Sequence, residues 1–213
     1  NRQVLFIFYP FPSHRTQNRR RRGAHKEDIF MKKTALVTGG SGGIGSEICR
    51  VLAEDGWQVA VCYKNGKAAA EALVSELKER SLCAEVFYCD IDDKDSIDKC
   101  AAEVRDSLGF VTLLVNNAGT ADIELFTDMT DEKLCEMMNV NLLGAMRMSR
   151  AVLPEMIREH SGNVINITSV WGEKGASCEV AYSAAKAGLI GFTKALAREI
   201  AISGIREIGR AHV

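Results

Sequence analysis

The chain has 213 residues, 46% hydrophobic and 26% charged, enough for one soluble, globular α/β domain with a sizeable core. Its net charge of −1 is uneven: residues 1–30 carry seven Lys and Arg against Glu27 and Asp28, or +5, which leaves −6 elsewhere and argues against nucleic acid as a partner of the folded part. No apolar run approaches the ~20 residues of a membrane span, and the apolar run at 4–9 is too short, with charges on the wrong side, for a signal peptide.

The first thirty residues lack helical or strand periodicity and contain Arg19-Arg20-Arg21-Arg22. They read either as a basic arm or as translated upstream DNA. Met31-Lys32-Lys33 directly before the first strand looks like a natural start, so 1–30 is expected to be a non-native or disordered leader. An apolar strand is expected at 35–38, then a helix at 44–55 stopped by Gly56. A second strand follows at 58–63. The helix at 67–79 places Ala70, Leu73, Val74 and Leu77 at i, i+3, i+4, i+7. Further elements are a strand at 84–89, a helix at 96–108, a strand at 111–115 and a long helical region at 131–159 with a kink or break at Pro154. A strand at 163–167 and a helix at 181–202 end the series.

Strands alternating with helices of about 10–15 residues imply right-handed βαβ units. The expected fold is a Rossmann-like, doubly wound parallel sheet over 31–206, covered on both faces. The last residues, Glu207-Ile-Gly-Arg-Ala-His-Val213, are different. Ile-Gly-Arg-Ala-His-Val is what ATC GGA AGA GCA CAC GTC encodes, a common sequencing-adapter string. Residues 207–213 are therefore expected to be read-through, with the domain truncated at its C-terminus. The raw nucleotide reads decide this; different codons there contradict it.

The seven cysteines are Cys49, Cys62, Cys83, Cys89, Cys100, Cys135 and Cys178. With no Cys-x-x-Cys and no His at ligand spacing, a zinc site is not expected. Several lie in apolar runs as small hydrophobes, which fits a reducing cytoplasm.

Two motifs carry chemistry. Thr38-Gly39-Gly40-Ser41-Gly42-Gly43-Ile44-Gly45 follows the first strand and opens a helix. Glycines there permit positive φ and close backbone approach, and the helix N-terminus offers free N–H groups to a pyrophosphate. The spacing TGxxxGxG is not the GxGxxG fingerprint. After the second strand stand Tyr63-Lys64-Asn65, without the acid that would bind the 2′-hydroxyl of NAD. Lys64 is placed to meet a 2′-phosphate, which favours NADP(H) over NAD(H). Alternatively it is a solvated lysine. Asp90, beside Ile91, is a candidate acceptor for the adenine amino group or a turn acid. Asn116-Asn117-Ala118-Gly119 ends the fourth strand, where small residues let backbone approach the ribose and the amides pin neighbouring strands.

The second motif is Tyr182 with Lys186 one helical turn on, and Ser169 thirteen positions before Tyr182. Tyr182 and Lys186 share a helix face. A nearby ammonium stabilises phenolate, whose parent titrates near ~10, so Tyr182 is suited to act as acid toward a carbonyl or base toward an alcohol. Ser169 is suited to hold the same oxygen.

These residues resemble the short-chain dehydrogenase/reductase family. The likeness rests on TGGSGGIG at 38–45, NNAG at 116–119, Asn139-Val-Asn141-Leu, Ser169 and YSAAK at 182–186, and spans 33–206. The resemblance implies a cytoplasmic NAD(P)-dependent oxidoreductase with Asn141, Ser169, Tyr182 and Lys186 as the catalytic set. Tyr182 would be the acid/base, Ser169 would position the carbonyl, Lys186 would lower the tyrosine pKa and bind ribose, and Asn141 would hold a relay water. It implies cofactor binding by Gly39, Ser41, Gly43, Ile44, Gly45, Tyr63, Lys64, Asp90, Ile91, Asn117, Ala118 and Gly119, besides Tyr182 and Lys186. Paired helices imply a homodimer or homotetramer.

Two departures stand out. Gly42 occupies a position where many NADP-using relatives carry Arg or Lys. The family also continues past Arg206 with a Pro-Gly stretch, a substrate loop and a last strand. Within the family, 182–194 is similar to the 3-oxoacyl-acyl-carrier-protein reductases of fatty acid biosynthesis. The stretch from Ser169 through Trp171 to Glu179 is similar to reductases of aminopentanone-modified elongation factor P, where Glu179 would meet the substrate amine. Trp171 and Glu179 are the tentative substrate contacts. Both readings make the partner a protein-tethered ketone. A non-catalytic nucleotide-binding regulator is the reading from another class, and the intact Ser, Tyr, Lys set argues against it.

Overall fold

The computed structural model describes residues 33–212. The leader expected over 1–30 and the start expected at Met31 lie outside the described residues. Six strands form one sheet: β1 (Thr34–Val37), β2 (Gln58–Tyr63), β3 (Ala84–Tyr88), β4 (Val111–Asn116), β5 (Asn163–Ser169) and β6 (Arg206–His212). Their order is β3-β2-β1-β4-β5-β6, and every pairing is parallel. The chain thus runs outward from β1 in one direction and from β4 in the other. The crevice beyond the C-terminal ends of β1 and β4 is where such sheets bind ligands.

The strands are apolar because both faces are covered. Alternate side chains go to opposite faces. Ala35, Val37, Val59 and Val61 pack against Cys49 and Ala53 of α1 (Gly43–Glu54) and Leu73, Val74 and Leu77 of α2 (Lys67–Glu79). Leu36, Ala60 and Leu114 pack on the other face, against Ile97 and Val104 of α3 (Lys94–Leu108) and Met148, Val152 and Met156 of α5 (Gly144–Arg158). The face read from the sequence of α2 is the one it buries. Cys49, Cys62, Cys89 and Cys100 are buried free thiols within these two layers.

The region 131–159 is not one helix broken at Pro154. It comprises α4 (Asp131–Met138), a π-helical segment (Asn139–Leu143) and α5, which continues through Pro154 to Arg158. Burial of Val152, Leu153 and Met156 around the proline offsets the one backbone bond the ring removes. The interruption falls instead at Asn139–Leu143, and π-bulges of this kind gather at functional sites. Helix α3 starts earlier than expected because the Asp93 side chain accepts from Asp95 N–H at 3.0 Å, a cap that the expected start at Ser96 does not include.

Two elements had no precursor in the sequence reading: the short helix α6 (Trp171–Lys174) and β6. α6 leads into α7 (Val180–Ile200), which carries Tyr182 and Lys186. β6 pairs with β5 from Asn163 opposite Arg206 to Ser169 opposite His212. An open strand edge accepts backbone almost regardless of side chain, which is why residues without an apolar pattern extend the sheet.

Glu207 fits β6 poorly. Its Oε1 accepts from Asn166 Nδ2 at 2.7 Å, while Oε2 is buried without a partner. Burial pushes its carboxyl up to about 8, against a partial lowering by the Asn166 bond. A carboxyl raised in this way stabilises the fold fully below its unfolded value of 4.5, and that contribution disappears as pH rises to about 8. Denaturant unfolding should show it: the stability gap between Glu207→Gln and the parent should widen in favour of Gln from pH 5 to pH 8, by roughly a few kcal/mol. An equal gap at both pH values contradicts the burial of this carboxyl.

Candidate active site

The turn from β1 to α1 is shaped by its glycines. Gly39 has φ +64, and a β-carbon there would lie 3.0 Å from Ala118 Cα. A β-carbon on Gly45 would overlap the Gly39 carbonyl and sit 2.8 Å from Asn117 Nδ2. The turn is tied to the end of β4 from both sides. Asn117 Nδ2 donates to the Thr38 and Gly39 carbonyls at 3.0 and 3.1 Å, and Thr38 Oγ1 accepts from Asn117 N–H and Ala118 N–H, each at 3.0 Å. Helix α1 begins after Gly42 with no side-chain cap and no acid in its first turn. Its free N–H groups and positive end are thus open to an anion. Gly43 and Ile44 are exposed beside it.

At the outer end of the crevice, Tyr63 meets Tyr88 edge-on, with ring centroids 5.9 Å apart. Lys64 and Asp90, given separate tasks from sequence, are joined by an ion pair of 2.9 Å. Asp90 is also a turn acid, its Oδ1 accepting from Asp92 N–H at 3.1 Å. The Ile91 side chain is only 6% exposed and belongs to the core, so only its backbone is left to face a cofactor.

At the inner end, Ser169 closes β5 and Tyr182 sits in the first turn of α7. Ser169 Oγ accepts from Trp171 N–H at 3.2 Å, which leaves its own hydrogen to donate. The Ser169 hydroxyl is near enough to Tyr182 to lower its pKa in part. Lys186 is 4% exposed; its Nζ donates to the Ile167 carbonyl at 2.9 Å and lies 5.7 Å from the Tyr182 ring centroid. Burial lowers the Lys186 pKa to about 8. Asn141 lies in the π-helical segment. Its Nδ2 donates to the Thr120 and Met137 carbonyls at 2.8 and 3.1 Å, and its Oδ1 accepts from Thr120 N–H at 3.3 Å. A β-carbon on Gly119 would lie 2.8 Å from Asn141 Oδ1 and 3.6 Å from Lys186 Nζ. Asn141, Lys186, Tyr182 and Ser169 therefore converge where β4 and β5 end.

The charge state differs from the sequence expectation. Tyr182 is raised, not lowered: burial dominates, the nearby Ser169 hydroxyl lowers it in part, and the Glu179 carboxylate raises it further. The tyrosine is thereby kept as a proton donor. Trp171, 39% exposed, begins α6 directly beside Ser169. Thr38 and Thr120 were not singled out from sequence. Only the position of Thr38 at the head of the glycine motif marked it, and nothing local marked Thr120.

Residues 33–209 match the family described as short chain dehydrogenase. The chain belongs to the short-chain dehydrogenase family. Members act as NAD(P)-dependent oxidoreductases, and this chain is one. It is 40% identical over 175 residues to the 3-oxoacyl-[acyl-carrier-protein] reductase of Staphylococcus epidermidis, covering 82% of this chain and 72% of that protein. It is 38% identical over 177 residues to an uncharacterized oxidoreductase, YmfI, of Bacillus subtilis, covering 83% and 72%. Among solved structures, a metagenomic short-chain oxidoreductase in complex with NADP superposes with TM-score 0.79 at 31% identity, covering 82% and 79%. A single-residue variant of the actinorhodin polyketide ketoreductase with NADPH gives TM-score 0.79 at 36% identity, covering 82% and 67%.

The short-chain dehydrogenase site has no metal-like cluster of three His, Cys, Asp or Glu among the described residues. No helix among them is long and apolar enough to cross a membrane.

Proposed function

We propose that this chain reduces a ketone to an alcohol with NADPH, on a 3-oxoacyl group tethered to a carrier protein. The observation that carries the reading is the convergence of Ser169, Tyr182, Lys186 and Asn141 where β4 and β5 end, with Lys186 Nζ 5.7 Å from the Tyr182 ring centroid and bonded to the Ile167 carbonyl, at the end of the crevice that the glycine turn opens. The residues present fit a nicotinamide dinucleotide: the Gly39–Gly45 turn admits close backbone approach, and the α1 N-terminus is uncapped toward an anion. The bound dinucleotide supplies the hydride for the carbonyl carbon. Ser169 Oγ donates a hydrogen bond to the carbonyl oxygen, and Tyr182 gives that oxygen its hydroxyl proton. Lys186 steadies the phenolate left behind, and its lowered pKa suits it to pass a proton on near neutral pH. Asn141, locked by four neighbouring contacts, holds the backbone of Thr120 against this group.

Lys64, directly after β2 where an acid would meet the 2′-hydroxyl of NAD, supports NADPH as the cofactor. NADPH and NADH should both be assayed with acetoacetyl thioester. Faster turnover with NADPH and accumulation of the 3-hydroxy product support the reading; no consumption with either cofactor overturns it.

One observation favours a second substrate. The Glu179 carboxylate is near enough to Tyr182 to raise its pKa, which places a negative charge beside the carbonyl pocket. A ketone bearing an ammonium group, as in aminopentanone-modified elongation factor P, complements that charge. If this reading is right, the modified factor outpaces the thioester, and Glu179→Gln erases the advantage.

A further inference from the structure

Beyond the ends of β2 and β3 stands a charged pair whose acid the proposed reaction leaves unused. Lys64 follows β2 directly, and Asp90 stands just beyond β3. Tyr63 and Tyr88 are opposite each other in the sheet, so the two chain ends rise together. Lys64 Nζ lies 2.9 Å from Asp90 Oδ2, with side chains 44% and 20% exposed. Asp90 is fixed from behind: Oδ1 accepts from Asp92 N–H, and its own N–H donates to Ser96 Oγ at 2.9 Å. Lys64 is the movable partner. Ser41 reaches the same corner, since a methyl on Gly66 would lie 2.6 Å from Ser41 Oγ.

We propose that Asp90 is a positioning residue that sets the discrimination between the 2′-phosphate and the 2′-hydroxyl dinucleotide, by holding Lys64. The inference rests on the dinucleotide reading above. A phosphate arriving at Lys64 meets an ammonium already satisfied by a carboxylate. Either the Lys64–Asp90 bond breaks, or the phosphate docks with the Asp90 charge still beside the ammonium. Each course reduces what the phosphate gains over a hydroxyl, which carries no charge. The wider field acts in the same sense. The Asp90 hydrogen bond, outweighing burial, holds the Lys64 pKa above its ordinary value, and the charges of Asp90, Asp92 and Glu136 add to it. The chain also has Gly42, not a second cation, in the adjoining turn. Its preference for the phosphorylated dinucleotide is therefore held low by Asp90, and removing that charge sharpens it.

Calorimetric titration with NADP+ and NAD+, without any ketone, tests this on the parent, Asp90→Asn, Lys64→Met and the double variant. Asn keeps the Oδ1 acceptor for Asp92 N–H, so the turn stands; Lys64→Met probes the pair without touching the turn. Asp90→Asn should raise the ratio of the NAD+ to the NADP+ dissociation constant about fivefold, the scale of one partly exposed charge pair. Lys64→Met should lower it. In the Lys64→Met background, Asp90→Asn should change the ratio by less than about twofold. An equal rise with and without Lys64 overturns the proposal, because Asp90 then acts by its field alone. No change in Asp90→Asn also overturns it, and in that case dinucleotide binding itself still stands. If neither dinucleotide binds the parent, the proposed function fails and this inference with it.

Discussion

Replacing Tyr182 by Phe should lower ketone-dependent NADPH oxidation by about 10²–10⁴-fold, the contribution of a positioned general acid. The ring stays, and with it the packing of the first turn of α7. Only the hydroxyl, which Ser169 neighbours, is lost. Dinucleotide affinity, measured by calorimetry, should change little, because the Gly39–Gly45 turn lies across the crevice and is held by Thr38 and Asn117. The raised tyrosine pKa keeps the hydroxyl protonated. A group kept protonated by burial donates to a forming alkoxide, and removing it strands that charge in a site where Ser169 and Lys186 are 5% and 4% exposed. Turnover within about threefold of the parent would remove Tyr182 from the acid role.

Gly45→Ala should be the most damaging single change at the dinucleotide end. The added methyl would overlap the Gly39 carbonyl and press on Asn117 Nδ2, 2.8 Å away. Neither neighbour is a flexible side-chain tip. One is backbone, and the other is an amide pinned by the bonds that tie the turn to β4. Overpacking of this kind costs roughly 1–3 kcal/mol, and it displaces the N–H groups offered to the pyrophosphate. Melting temperature should fall by several degrees, and affinity for NADP+ should fall by about a hundredfold or more, taking ketone reduction with it. Gly43, exposed and with open space at its β-carbon, provides the contrast: Gly43→Ala should keep the parent's melting temperature. Equal losses in both variants would mean that the turn is not packed in this way.

The alternation of apolar strands and amphipathic helices made the sheet and its parallel sense legible, because burial on both faces writes a period and a length into each segment. The four-residue step from Tyr182 to Lys186 is a local fact of helix geometry, so the pair was also legible. What was hidden depends on contacts distant in sequence. The ion pair between Lys64 and Asp90 joins the ends of two neighbouring strands, and each residue read alone has a separate, plausible task. The upward shift of Tyr182 comes from burial beneath elements that the tyrosine motif does not contain. Pro154 looked like a break because a ring removes a backbone bond, yet apolar neighbours hold that helix together. The actual interruption, at Asn139–Leu143, carries Asn141 and no proline or glycine. β6 was invisible because its pairing with β5 is made by backbone, and the side chains of residues 206–209, Glu207 above all, do not follow a buried pattern.

In the proposed reaction a hydride reaches the ketone carbon while Tyr182 protonates the oxygen. Incubation of the purified protein with NADPH deuterated at both C4 positions and acetoacetyl thioester, with mass analysis of the product, separates hydride transfer from binding alone. The expected product is a 3-hydroxy thioester carrying one deuterium on the carbinol carbon, formed in step with NADP+. Tight binding of the dinucleotide with no deuterated alcohol from this ketone or from an amine-bearing one would contradict it, and would make the chain a nucleotide-binding regulator on the same fold.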